Sequence, residues 1–330
     1  MREFAYQRAT QVRAALTMVA ENAGARYLGG GTNLVDLMKD GVEVPTRLVD
    51  VRQLPLDGVR EAPDGGLVIG ATTTNSDVAA HPEIRRRYPA VTQAILAGAS
   101  GQLRNMATTG GNLLQRTRCP YFADVAQPCN KRDPGSGCPA IEGQHHNHAV
   151  LGQSDHCVAT HPSDMAVALA AFDAVVHYET LDGVGEIPLS QFYRPVGDRP
   201  DRETELPPGA LITAIALPGS TVARRSRYRK VRERASYAFA TVSVAVALDT
   251  HDGVVRDVRI ALGGVASRPW RALTAEDALR DGDATAARFR AAAAAELAAA
   301  EPLRDNGYKV TLAQNLIEAV LSELAGTGDR

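Results

Sequence analysis

Cysteine is nearly missing from this 330-residue chain: there are four, all between positions 119 and 157. That excludes a disulfide framework spread over the fold, and a chain of this length can build a core without one. Aromatic residues are sparse at 5 %, so the 45 % hydrophobic content that supplies the core is mostly aliphatic. Neither sign of charge dominates: 36 Lys and Arg against 38 Asp and Glu leave a formal −2. There is no electrostatic footprint for nucleic acid or for an anionic membrane surface. No apolar run reaches the roughly 20 residues of a membrane-spanning helix. Residues 1–6 lack a signal-peptide apolar region and a twin-arginine pair, so no export signal of the chain's own is expected. The basic stretch 224–234 alternates with Tyr228, Val231 and Glu233, as a polar-faced strand does.

What is present is concentrated in the cysteine segment. Cys119, Cys129, Cys138 and Cys157 are separated by Pro- and Gly-bearing text, which sets the backbone angles that turn distant thiolates toward one centre. Two disulfides, a zinc site and an iron–sulfur cluster are all compatible with four thiols. Zinc usually takes its ligands in short Cys-x-x-Cys knuckles, absent here. A cluster accepts four thiolates from a wrapped loop.

Thr10 can cap a helix carrying Val12, Leu16 and Val19. A strand at 26–28 runs into a glycine loop, followed by a helix at 34–39 and strands at 47–51 and 67–69. Helices are expected at about 75–80 and 83–98, then one from Asp164 capped by Ser163, a strand at 174–179 and an exposed connection at about 194–208. Beyond 222 the text turns β-rich. A strand at 240–249, an Asp252-Gly253 hairpin signal and a strand at 254–262 precede helices at about 271–280, 284–300 and 309–325. The Ala-rich middle helix is expected to lie against the sheet, and Trp270 to be a packing anchor. A three-stranded sheet followed by helices gives an α+β C-terminal domain.

Gly29, Gly30 and Gly31, followed by Thr32 and Asn33, lie between a strand and a helix. Backbone without side chains can approach a pyrophosphate closely, and amides at a helix start favour its charge. The text is not the Rossmann fingerprint. Thr108, Thr109, Gly110, Gly111 and Asn112 form a second cradle of the same kind. Two such loops are best explained by one dinucleotide held from both sides. A bulky residue at Gly30 or Gly111 is expected to displace it.

The ordered set Tyr-Leu-Gly-Gly-Gly-Thr-Asn-Leu, Arg-Asn-Met-Ala-Thr-Thr-Gly-Gly-Asn-Leu, Pro-Ser-Asp-Met-Ala and Arg-Lys-Val-Arg-Glu-Arg resembles the FAD-binding subunits of molybdenum hydroxylases, the xanthine dehydrogenase family. The cysteine loop is similar to that of the periplasmic aldehyde oxidoreductase members, which add a 4Fe–4S cluster. A 4-hydroxybenzoyl-CoA reductase-like flavoprotein is the alternative within the class. A zinc-stabilised nucleotide-binding module without redox activity is the alternative outside it.

The resemblance implies an α+β fold. A two-lobed FAD-binding domain would span residues 1–221 (lobes about 1–55 and 56–221, with the cluster loop at about 115–160). A domain of CO dehydrogenase flavoprotein C-terminal type would span 222–330. It further implies that Tyr27, Leu28, Gly29, Gly30, Gly31, Thr32, Asn33 and Leu34 wrap the FAD pyrophosphate, with Thr108, Gly111 and Asn112 opposite. Asp164 would hydrogen-bond to the cofactor, Ile212 pack against it, and Lys230 stand beside the isoalloxazine. Cys119, Cys129, Cys138 and Cys157 would hold the cluster; the neighbouring His145, His146, His148, His156 and His161 are not expected as ligands.

The implied partners are a molybdenum-cofactor large subunit and a small subunit with 2Fe–2S clusters, in a heterotrimer that oxidises an aldehyde and reduces an external acceptor. The chain itself would contribute no acid–base residue to that oxidation. Export would follow a partner's signal; otherwise the complex is cytoplasmic.

Overall fold

The computed structural model describes residues 1–326; the last four positions of the expected C-terminal domain lie outside them. The fold is built as three sheets with helices between them. The N-terminal lobe is a parallel three-stranded sheet with Arg47–Asp50 between Ala5–Arg8 and Ala25–Leu28. Ala15, Leu16 and Val49 form its small core. Thr10 does not cap the helix Val12–Ala20: the cap position is Gln11, with no side-chain bond. Ala9 N–H is still paired with the Asp50 carbonyl at 3.0 Å, so the chain leaves the sheet one residue too late for Thr10 to cap.

The second lobe carries a five-stranded antiparallel sheet, ordered Val59–Glu61, Leu67–Gly70, Leu211–Leu217, Val175–Thr180, Gly183–Pro188. The expected helix 83–98 is two helices, Pro82–Arg87 and Pro89–Ala97. Pro89 has no N–H to continue the ladder. Tyr88 turns to φ −135°, ψ 58° between them and buries its ring, its hydroxyl donating to the Pro218 carbonyl.

The C-terminal sheet is four-stranded, not three-stranded, because Trp270–Arg271 adds a two-residue edge strand. Its long hairpin, Val242–His251 with Val254–Gly263, turns on Asp252 and Gly253, both at positive φ as the sequence signal requires. The period of two assigns its faces. Val244, Val246 and Leu248 belong to the core under the C-terminal helices, whereas Ala245 and Ala247 join the core of the second lobe. The helix Asp164–Ala171 packs on that small-residue face. The Ala-rich helix Ala286–Leu297 packs on the helices Leu273–Leu279 and Tyr308–Ala325 rather than on the sheet, which Tyr308–Ala325 covers. The two faces of one sheet therefore lock the C-terminal domain to the lobe that carries Asp164.

Candidate functional site: a clasped cleft beside a four-thiol void

The two glycine loops meet. A Cβ on Gly29 would stand 2.6 Å from Thr108 Oγ1, and one on Gly30 would stand 1.9 Å from the Met106 carbonyl oxygen. Only side-chain-free backbone lets the loops approach this closely. Beneath the clasp runs a cleft of about 550 Å³ that both lobes line, together with the loop Tyr237, Ala238 and Phe239 from the C-terminal domain.

Of the residues expected at a dinucleotide, Tyr27, Gly29, Gly30, Gly31, Thr32, Asn33, Leu34, Thr108, Gly111, Asn112, Asp164 and Ile212 all line this cleft. Leu28 and Lys230 do not line it. Leu28 packs behind the loop, its Cδ1 3.4 Å from the position of a Cβ on Gly31. Lys230 stands behind Asp164, with Nζ 2.8 Å from Oδ2. It also donates to the Ala97 carbonyl at 3.2 Å.

Several polar groups are already arranged. Tyr27 donates to the Gly209 carbonyl at 2.7 Å, and burial pushes its phenol up to about 12, so it remains a donor. Thr108 Oγ1 accepts from Gly111 N–H at 3.3 Å, and Asn112 Oδ1 accepts from the Ser163 hydroxyl at 2.5 Å. Asp164 accepts from the Tyr228 hydroxyl, whose phenol is held protonated by burial and by that carboxylate. Other cleft atoms have nothing to bond to: Asn33 Nδ2, Thr72 Oγ1 and Asn75 Oδ1 are buried without partners. Buried polar atoms are rarely left so, and these three ask for a polar ligand in the cleft.

A second site adjoins. Cys119, Cys129, Cys138 and Cys157 all line one void of about 10 Å³, and all four are free thiols. Asn130 shapes the loop around it, its Oδ1 accepting from Gly135 and Gly137 N–H at 3.1 and 2.8 Å. Those glycines sit at φ +92° and +107°, where other residues are strained. Burial pushes the Cys119 thiol up to about 11, against the pull of Phe122 and Tyr121 backbone N–H groups. Contact with Cys157 draws Cys138 down to about 7, helped by Val158 and Ala140 N–H groups, and raises Cys157. Among the described residues, no three His, Cys, Asp or Glu side chains converge tightly enough to hold a single metal ion. The four thiols share a void without forming a ready-made metal site. Four thiols lining one void are the donor set that a 4Fe–4S cluster would take.

The connection 194–208 is exposed over much of its length, as expected, and it also ties the two sites together. Glu203 pairs with Arg116 at 2.6 Å and with Lys131 at 2.8 Å, and Arg116 N–H donates to Asn33 Oδ1 at 2.8 Å. Sequence reasoning also missed Tyr228 and the loop aromatics. Tyr228 carried a usable signal, since two residues before Lys230 on a strand is the same face.

A cleft clasped by two glycine loops outside any Rossmann frame, with orphaned polar atoms inside it, defines a dinucleotide-binding subunit. Comparison with known proteins identifies the family. Residues 2–220 match the FAD binding domain in molybdopterin dehydrogenase, and 226–324 the CO dehydrogenase flavoprotein C-terminal domain. The chain is 50 % identical over 324 residues to the aldehyde oxidoreductase FAD-binding subunit PaoB of Escherichia coli (strain K12), covering 98 % of each. It is 26 % identical to the glyceraldehyde dehydrogenase medium chain of Sulfolobus acidocaldarius, covering 83 % of this chain and 80 % of that one. The fold is that of the reconstituted CO dehydrogenase from Oligotropha carboxidovorans, with TM-score 0.77 and 23 % identity over 99 % of this chain and 100 % of that one. The chain belongs to the FAD-binding subunits of the molybdenum hydroxylases.

Proposed function

We propose that this chain is the FAD- and 4Fe–4S-bearing electron-transfer subunit of a heterotrimeric, molybdenum-dependent aldehyde oxidoreductase. The likeness to the aldehyde oxidoreductase FAD-binding subunit over nearly the whole of both chains carries the choice of substrate class. A molybdenum-cofactor large subunit oxidises the aldehyde to the carboxylic acid, and a small subunit passes the electrons on through 2Fe–2S clusters. This chain delivers them to an external acceptor. FAD, when bound, supplies a two-electron store between one-electron carriers and that acceptor.

Tyr27 and residues 29–34 hold the cofactor's pyrophosphate from one side, and Thr108, Gly111 and Asn112 from the other. Asp164 and Ile212 face the cofactor further along the cleft. Cys119, Cys129, Cys138 and Cys157 hold the cluster; the void that all four line supports that set. Assembly takes place in the cytoplasm, before an oxidising compartment can pair the thiols. Export then follows a signal on a partner subunit.

Metal, sulfide and flavin analysis of the anaerobically purified complex tests this reading. About four iron and four acid-labile sulfide in this chain are expected, beyond those of the small subunit, with one FAD released by acid. One zinc and no iron in the chain defeats the cluster assignment. A complex that leaves aldehydes untouched defeats the substrate class, and a complex without a signal on any subunit stays cytoplasmic.

A further inference from the structure

We propose that His148 is a positioning residue for Cys119: its Nε2–H donates to the Cys119 sulfur, fixing that ligand and easing reduction of the cluster it holds. The inference rests on the reading of the four cysteines as cluster ligands. His148 Nε2 lies 3.2 Å from Cys119 Sγ. The ring does not line the void between the sulfurs, so it meets a ligand rather than the cluster.

The surroundings select the tautomer. His148 is 5 % exposed, and its Nδ1 is buried without a partner. A proton on Nδ1 would be a buried donor lacking an acceptor, which is costly. On Nε2 the same proton meets a sulfur.

The ring is also held from behind. His148 N–H donates to the His145 carbonyl at 2.9 Å. Its own carbonyl accepts from Lys309 Nζ at 2.9 Å and Asn306 Nδ2 at 3.4 Å. Lys309 is fully buried and further gathers the carbonyls of Asn147, at 3.1 Å, and Gly264. The start of the C-terminal helix Tyr308–Ala325 thus clamps the segment that carries His148.

Reduction adds negative charge that a cluster shares with its sulfurs. An N–H directed at one sulfur therefore binds the reduced state more strongly, and hydrogen bonds to sulfur are among the levers on cluster potential. Removing this one should weaken reduction about tenfold, which is 59 mV for a one-electron couple.

An EPR-monitored redox titration of the assembled complex compares wild type, His148→Leu and His148→Gln. The Leu variant should fall by about that tenfold, and the Gln variant, which keeps an N–H, should recover most of it. Equal cluster potentials in wild type and His148→Leu overturn the proposal. Should the Leu variant lose its iron, a His156→Gln protein labelled with ¹⁵N-histidine decides the question, because His156 itself lines the void. Pulsed EPR of the reduced cluster should show a weak ¹⁵N coupling; none, or the strong coupling of a direct ligand, overturns the proposal. A wild-type complex with no 4Fe–4S signal defeats the cluster reading and this inference with it. A cluster whose potential ignores His148 defeats the inference alone.

Discussion

Lys230 and Asp164 form a buried ion pair: Nζ lies 2.8 Å from Oδ2, with the two side chains 3 % and 7 % exposed. Only Asp164 faces the cleft. Lys230 is thus placed to influence a flavin through the carboxylate it neutralises. Lys230→Met leaves that carboxylate buried with the Tyr228 hydroxyl as its remaining partner, and breaking a buried pair from one side costs about 3–5 kcal/mol. Thermal unfolding should fall accordingly, and flavin reduction should become less favourable beside an uncompensated negative charge. The first reduction of molybdenum by aldehyde should keep its rate. Lys230→Met combined with Asp164→Asn should recover both stability and flavin potential. A double variant as hard to reduce as the single would mean that Lys230 acts on the flavin directly.

Acid should loosen the N-terminal lobe first. Asp50 lies opposite Leu28 in the strand register, one residue short of the glycine loop. Burial pulls its carboxyl up, but the guanidinium of Arg52 and the hydroxyl of Tyr6 outweigh that and hold it down at about 2. The folded value lies below the unfolded one. The contribution is therefore complete above about pH 4 and is lost as pH falls toward 2. Arg52 is 40 % exposed, so solvent screening limits the effect to about 1 kcal/mol. Urea midpoints should drop between pH 4 and 2.5 in wild type and much less in Asp50→Asn. Matching acid slopes in the two proteins would remove Asp50 from the account.

Much of the cleft was legible because its chemistry is local. Glycine between a strand and a helix is written in consecutive residues, and so is the Ser163 cap, whose Oγ accepts from Ala166 N–H at 3.0 Å. The hairpin at Asp252 and Gly253 is equally local. What escaped depends on separation in sequence. Nothing near Lys230 says that Asp164 will neutralise it, and nothing near Glu203 says that it will join Arg116 to Lys131. The helix break at Pro89 was written in the text, but the apolar periodicity on either side masked it. The two-residue edge strand at Trp270 exists only because the long hairpin offers it an edge.

Gly30 and Gly111, alike in sequence, should differ in consequence. A Cβ on Gly30 would stand 1.9 Å from the Met106 carbonyl oxygen and 2.4 Å from its carbon, atoms of the opposing backbone that cannot rotate away. A Cβ on Gly111 meets only the Thr108 hydroxyl, at 2.9 Å, which can turn. Gly30→Ala must therefore part the clasp. Overpacking of this kind costs about 1–3 kcal/mol, enough to weaken FAD binding about tenfold or more. Gly111→Ala should stay within about threefold of wild type. Titrating FAD back into deflavinated complexes measures both. Full occupancy in Gly30→Ala, or equal losses in the two variants, would mean that the meeting of the loops does not shape the cleft.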